Sequence, residues 1–143
     1  MLTFEYSYNF ENSAKTLFSH IVDLEARSSW INGILENRVN PEGPARLGSS
    51  YFESGKFSGF KSEKTMVVTE FVQDQLLTLE TSSEVKQPFR ESYRIESISE
   101  KACRVYCTIE VGGVPKVGEF FMRQSMKKEQ PKNFARLKAI VGG

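Results

Sequence analysis

Hydrophobic and polar residues alternate strictly over 2–10. Leu2, Phe4, Tyr6, Tyr8 and Phe10 fall on one side, and Thr3, Glu5, Ser7 and Asn9 on the other. A period of two predicts a strand with one covered, largely aromatic face. The pattern then changes to helical spacing: Ala14, Leu17, Phe18, Ile21 and Leu24 follow an N-cap oxygen from Asn12 or Ser13, predicting an amphipathic helix over 13–24. Asp23–Ser29 reads as a short second helix or turn running into Trp30. Strands are predicted over 34–40, 48–57, 63–72, 76–83, 89–98 and 102–111. They are separated by Pro41-Glu42-Gly43-Pro44, Gly59, Gln73-Asp74-Gln75 and Lys86-Gln87-Pro88, residues that end ladders or favour turns. Gly55 marks a candidate bulge. In the last strand Cys103, Val105, Cys107, Ile109 and Val111 share a face opposite Arg104, Tyr106, Thr108 and Glu110, as a sheet covered on one side requires. Short polar turns between successive strands predict an antiparallel meander.

Gly113–Val141 is the only run long enough for a helix of four turns or more. A long helix after a series of strands needs a sheet face to cover. Val117, Phe120 and Phe121 cluster on one side of it; Phe134, Leu137 and Val141, beyond Pro131, lie on a side rotated about the axis. A kink near Gln130-Pro131 is therefore expected, each half pressing its own apolar side to the sheet.

Composition adds limits. The chain of 143 residues fits one domain, 1–143, with 39% hydrophobic and 26% charged residues. Neither a linker nor an internal repeat divides it. A net charge of +1 does not point to nucleic acid. The basic groups Lys127-Lys128 and Lys132–Lys138 alternate with apolar residues and read as a solvated helix face, with an anionic-surface patch as the other reading. No apolar run reaches a membrane span and no signal peptide is visible, so a cytoplasmic protein without an integral membrane segment is expected. Cys103 and Cys107, four apart in a strand, would stand roughly 13 Å apart, too far for a disulfide. Free thiols in a reducing compartment are expected.

The order of strand, helix, short helix, Trp30, six strands and long helix resembles the START-like, or Bet v 1-like, helix-grip superfamily, and within it the polyketide cyclase/dehydrase and lipid-transport (SRPBCC) group. Asn12-Ser13-Ala14, Asp23 with Trp30, Gly43-Pro44 with Gly48, Val68-Thr69-Glu70 and Leu137-Lys138 carry the resemblance, which covers nearly the whole chain. The turns Glu100-Lys101-Ala102 and Gln73-Asp74-Gln75 depart from common family patterns. The resemblance implies an α+β helix-grip fold: a curved antiparallel sheet of about seven strands wrapped on the C-terminal helix, with a cavity between them that takes lipids, polyketides or other apolar molecules.

The side chains offer little arranged chemistry. His20 is the only histidine and falls at the edge of the first helix's apolar stripe; a general base is its alternative role. There is no zinc or iron–sulfur pattern, no Gly-x-Ser-x-Gly elbow around Ser13 or Ser19, and no phosphate loop at Gly48 or Gly112-Gly113. Neither a metal nor a cofactor is expected. Cys103 and Cys107 read as buried structural residues. In strand 89–98, alternation places Glu91 beside Tyr93 on the side of Ile95. A carboxylate next to a phenol in an apolar cavity suits acid–base work; the plainer expectation is a Glu91 solvated at the mouth or paired with a base from an adjacent strand. Glu53, two residues from Tyr51, poses the same question. Trp30 reads as a core anchor or as the closure of one end of a cavity, and Phe120 and Phe121 as core or cavity lining.

Three functions follow. The first is a non-catalytic carrier or sensor of a small apolar ligand, as monomer or homodimer, with Trp30, Tyr51, Glu91, Tyr93, Phe120 and Phe121 lining the site. The second is a cyclase/dehydratase using Glu91 with Tyr93 or His20 as an acid–base pair. The third is a protein-interaction module with a filled interior and an exposed apolar patch.

Overall fold

The computed structural model describes residues 1–57 and 59–142. In chain order these form β1 (Leu2–Phe10), α1 (Ala14–Ile21), a 3-10 helix (Leu24–Ser29), β2 (Ile34–Asn40), β3 (Ser50–Phe57), β4 (Phe60–Val72), β5 (Leu76–Glu80), β6 (Phe89–Ser99), β7 (Ala102–Val111) and α2 (Lys116–Val141). The seven strands make one antiparallel sheet in the order β1-β7-β6-β5-β4-β3-β2. From β2 to β7 each strand pairs with its successor, the predicted meander. The terminal strand β1 closes on β7 with Leu2 opposite Val111 and Phe10 opposite Cys103.

The alternation in sequence becomes alternation in burial. Every second residue of β7, from Cys103 to Val111, is buried. The inner face of the sheet is covered by α1, the 3-10 helix and the second half of α2, and Leu17, Phe18, Leu24, Leu77, Leu79 and Leu137 lie fully inside. Ser13 Oγ accepts from the Thr16 N–H at 3.1 Å and starts α1, which turns Leu17, Phe18 and Ile21 inward. The Gln73–Gln75 turn holds Asp74 at φ 63, a left-handed conformation that a short polar side chain tolerates. The irregularity expected at Gly55 sits on the facing strand: register shifts between Ile34 and Glu36 of β2, opposite Gly55 and Ser54. Gly55 is needed for contact, because a Cβ there would stand 2.2 Å from the Gly33 carbonyl oxygen.

The long helix corrects the sequence reading. It runs unbroken from Lys116 to Val141 with Pro131 inside it. Its covered residues are Met122, Met126, Asn133, Phe134, Leu137 and Val141. At about 100° per residue these fall on a single stripe, so both halves use the same side of the helix. Val117 and Phe121 lie opposite that stripe and Phe120 at its margin. Accordingly Val117 is 72%, Phe120 60% and Phe121 54% exposed; neither phenylalanine is core. The two methionines, not the aromatic pair, rest on the sheet side.

Candidate functional site

A polar cluster lies within the apolar inner face, and Arg27 is its centre. The 3-10 helix turns this guanidinium inward, where it is 3% exposed. Its Nη2 donates to both oxygens of Glu91 on β6, at 2.9 and 3.1 Å, and stands 3.5 Å from Glu53 on β3. Its Nη1 lies 3.4 Å from the Tyr93 hydroxyl. Tyr93 donates to Glu91, and Tyr51 donates to Glu53 at 3.1 Å. Asn37 of β2 donates to the Tyr51 oxygen at 3.1 Å. Lys64 of β4, opposite Glu53 in the strand register, pairs with it at 3.1 Å and rests over the rings of Phe89 and Phe57. Two cations thus face two carboxylates. Buried charge is tolerated in this form, paired and hydrogen-bonded.

The electrostatics follow from this geometry. Burial alone would favour a neutral Arg27, but Glu91, Tyr93, Glu53 and Tyr51 outweigh it and raise its pKa well above the ordinary arginine value. Burial opposes ionisation of Glu53 as well; Arg27 and Lys64 reverse the balance and lower its pKa. Burial, then Glu91, pushes the Tyr93 phenol well above its usual range; burial, with Glu53 adding to it, lifts Tyr51 to about 12. Both tyrosines are therefore neutral donors at ordinary pH. Cys107, opposite Tyr93, is pushed up by burial and by Glu91, and is an inert thiol; no disulfide joins it to Cys103.

Aromatic rings close one side of this cluster. Trp30 meets Tyr93 edge-on at 6.3 Å and Phe134 at 5.6 Å, and Phe134 stacks on Tyr8 at 4.3 Å. Below the second half of α2 the interior is packed by these rings. Among the described residues, Arg27 Nε and Trp30 Nε1 are buried donors without an acceptor. Arg27 lies on the 3-10 helix and Trp30 is the residue that ends it.

The open space lies beside the first half of α2, on the flank turned away from the packed stripe. A groove of about 800 Å3 runs between Phe60, near the β3–β4 turn, and Phe121, Gln124, Ser125, Lys127, Lys128 and Glu129 of the helix. Strand alternation puts Phe60 on the same side of β4 as Lys64 and Met66, at the exposed end of that row, and no residue of the buried cluster lines the groove. A second depression, about 310 Å3, lies on the other side of the sheet among Glu5, Ser92, Arg94, Tyr106 and Thr108.

Of the six residues expected to line a site, four converge: Tyr51 with Glu53, and Glu91 with Tyr93, around Arg27, and Trp30 against Tyr93. Phe120 and Phe121 stand apart from them on α2, edge-to-face with each other at 5.7 Å, with Phe121 on the groove. Glu91 is neither solvated nor paired with a neighbouring strand; its partner comes from the 3-10 helix. His20, half-buried on α1, takes no part in the cluster. Glu53 does pair with a base from an adjacent strand, Lys64, whereas Arg27 and Phe60 were not anticipated. One signal was available for Arg27: two carboxylates facing inward require a cation, and it is the only base in Leu24–Ser29. Among the described residues no group of histidine, cysteine or acidic side chains could hold a metal ion, and no helix is long and apolar enough to cross a membrane.

No family model matches the chain, and no curated protein is similar to it in sequence. Solved structures are similar in shape. The Zhui aromatase/cyclase from a Streptomyces strain superimposes with a TM-score of 0.81 at 7% identity, over 99% of this chain and 93% of that one. A START superfamily protein from Mycobacterium smegmatis gives 0.75 at 14%, over 98% and 97%. Human STARD10 gives 0.76 at 13%, over 97% of this chain and 62% of that one.

Proposed function

The chain has the START-like helix-grip fold, and from that premise we propose that it binds a small apolar molecule between the first half of α2 and the β3–β4 side of the sheet. The observation that carries this reading is the groove of about 800 Å3, walled by Phe60 and Phe121. That volume is in the range of small-molecule sites, which are apolar with a few placed polar groups. Phe60 and Phe121 supply apolar wall, with Phe120 beside them. Gln124, Lys127 and Lys128 are the polar groups on the groove itself, while Tyr51, Tyr93, Glu91 and Trp30 lie buried and do not line it.

A cyclase or dehydratase reading draws on the buried Tyr93–Glu91 hydrogen bond. It is the weaker one. A general base needs an oxygen free to meet a substrate proton, and both oxygens of Glu91 already accept from Arg27. The carrier reading asks nothing further of this cluster.

Native mass spectrometry of the purified protein, together with titration of a fluorescent fatty acid, tests the carrier reading. A bound small molecule or saturable probe binding is expected, with probe affinity reduced at least about tenfold in Phe121→Asp. If the protein is ligand-free and the probe does not bind, the reading is wrong.

A further inference from the structure

We propose that the β3–β4 tip and the first half of α2 form a docking surface for an anionic lipid bilayer. Four large apolar side chains stand out of this one region: Phe60 at 65% exposure on the tip, and Val117, Phe120 and Phe121 on the helix. The groove shared by Phe60 and Phe121 places the two segments side by side. The rings have no role inside the fold, since the packed stripe of α2 points the other way.

Charge decides what covers them. Segments 56–61 and 116–129 hold six basic and two acidic residues, a net of +4 against +1 for the whole chain, so the remainder is net negative. Lys127 and Lys128 lie on the groove itself with Glu129, and Lys56 and Lys61, paired across the β3–β4 hairpin, stand at the same tip on the face opposite Phe60. Among the described residues no carboxylate pairs with any of these four lysines. Protein interfaces are depleted of lysine at their centres. A surface of anionic lipid selects the opposite mixture, aromatic rings at headgroup depth with long basic side chains around them. The rings also protrude on both sides of an open groove instead of forming a flat patch, which suits a deformable partner. Docking here would be peripheral, because α2 is too polar to cross.

The proposal does not depend on the carrier reading, and the assay contains no small ligand. The folded protein is sedimented with vesicles of phosphatidylcholine alone and of phosphatidylcholine mixed with phosphatidylglycerol. Binding to the mixed vesicles, little to the neutral ones, and release by salt are expected. Phe120→Ser with Phe121→Ser, and separately Lys127→Glu with Lys128→Glu, should each weaken binding about tenfold or more. Both pairs are exposed, so unchanged circular dichroism and thermal midpoint will show that folding is intact. Failure of the wild type to bind mixed vesicles overturns the proposal, as does binding that ignores salt and charge reversal. Light scattering that shows a dimer broken by the phenylalanine pair, with no vesicle binding, would assign the surface to a second copy of the chain and overturn it equally.

Discussion

Phe134 and Phe121 are the same residue type on the same helix, yet one is 1% exposed and the other 54%. Around Phe134 the second half of α2 is fixed from several directions. Tyr8 stacks on the ring and Trp30 tilts against it. Next to it the buried Asn133 accepts from the Asn32 N–H at 3.1 Å and from Arg136 at 2.8 Å. The first half has only Met122 and Met126 leaning on the core, and methionine is the most adaptable of the apolar side chains. One end of α2 is therefore structural, while the other is available for a ligand or a surface. Its open groove and exposed aromatics follow from which residues the sheet can reach, not from a lack of apolar residues in that half.

This contrast can be tested by substitution. The largest effects should fall on the packed side. Phe134→Ala should lose about 3–5 kcal/mol in urea denaturation, the cost of a large buried cavity. Arg27→Ala should lose a similar amount, about 3–5 kcal/mol, because Glu91 would be left buried without its cation. Phe121→Ala should stay within about 0.5 kcal/mol of wild type and should weaken binding of an apolar probe. A large stability loss in Phe121→Ala, measured the same way, would abolish the distinction between the two halves.

A smaller effect concerns pH and belongs to the polar cluster. Glu53 has its pKa lowered in the folded chain from 4.5, so the unfolded chain takes up the proton first as pH falls. Its contribution is present above about pH 4.5 and lost as pH drops through the folded value; Glu53→Gln should flatten that acid slope in denaturation midpoints. Tyr51 has the opposite sign. Its pKa rises from 10.0 to about 12 on folding, so its stabilisation is complete below pH 10 and lost as pH climbs to about 12. Tyr51→Phe should shallow the alkaline limb. The smallest expected signal is kinetic: amide hydrogens over 116–126 should exchange sooner than those over 133–141, read by mass spectrometry.

Much of the architecture was legible because it is periodic. Cys103–Val111 alternates in sequence and in burial alike, since a strand has two faces and only one is covered. The alternation also placed Tyr51 with Glu53 on one side of β3 and Glu91 with Tyr93 on one side of β6. Local spacing could not say what meets them: Arg27 lies 64 positions from Glu91, and nothing in Leu24–Ser29 indicates which strand its side chain will reach.

By itself, then, the sequence determined the seven strands, the early helices, the long terminal helix and the pairing of each acid with a phenol on one side of its strand, because each depends on hydrogen bonds and side-chain periods within a few residues. Tertiary structure alone decided which side of α2 is packed, that Phe120 and Phe121 face outward, and that Arg27 binds the two carboxylates together. Those outcomes depend on contacts between distant segments, and a helix with apolar residues on more than one side does not carry its own orientation.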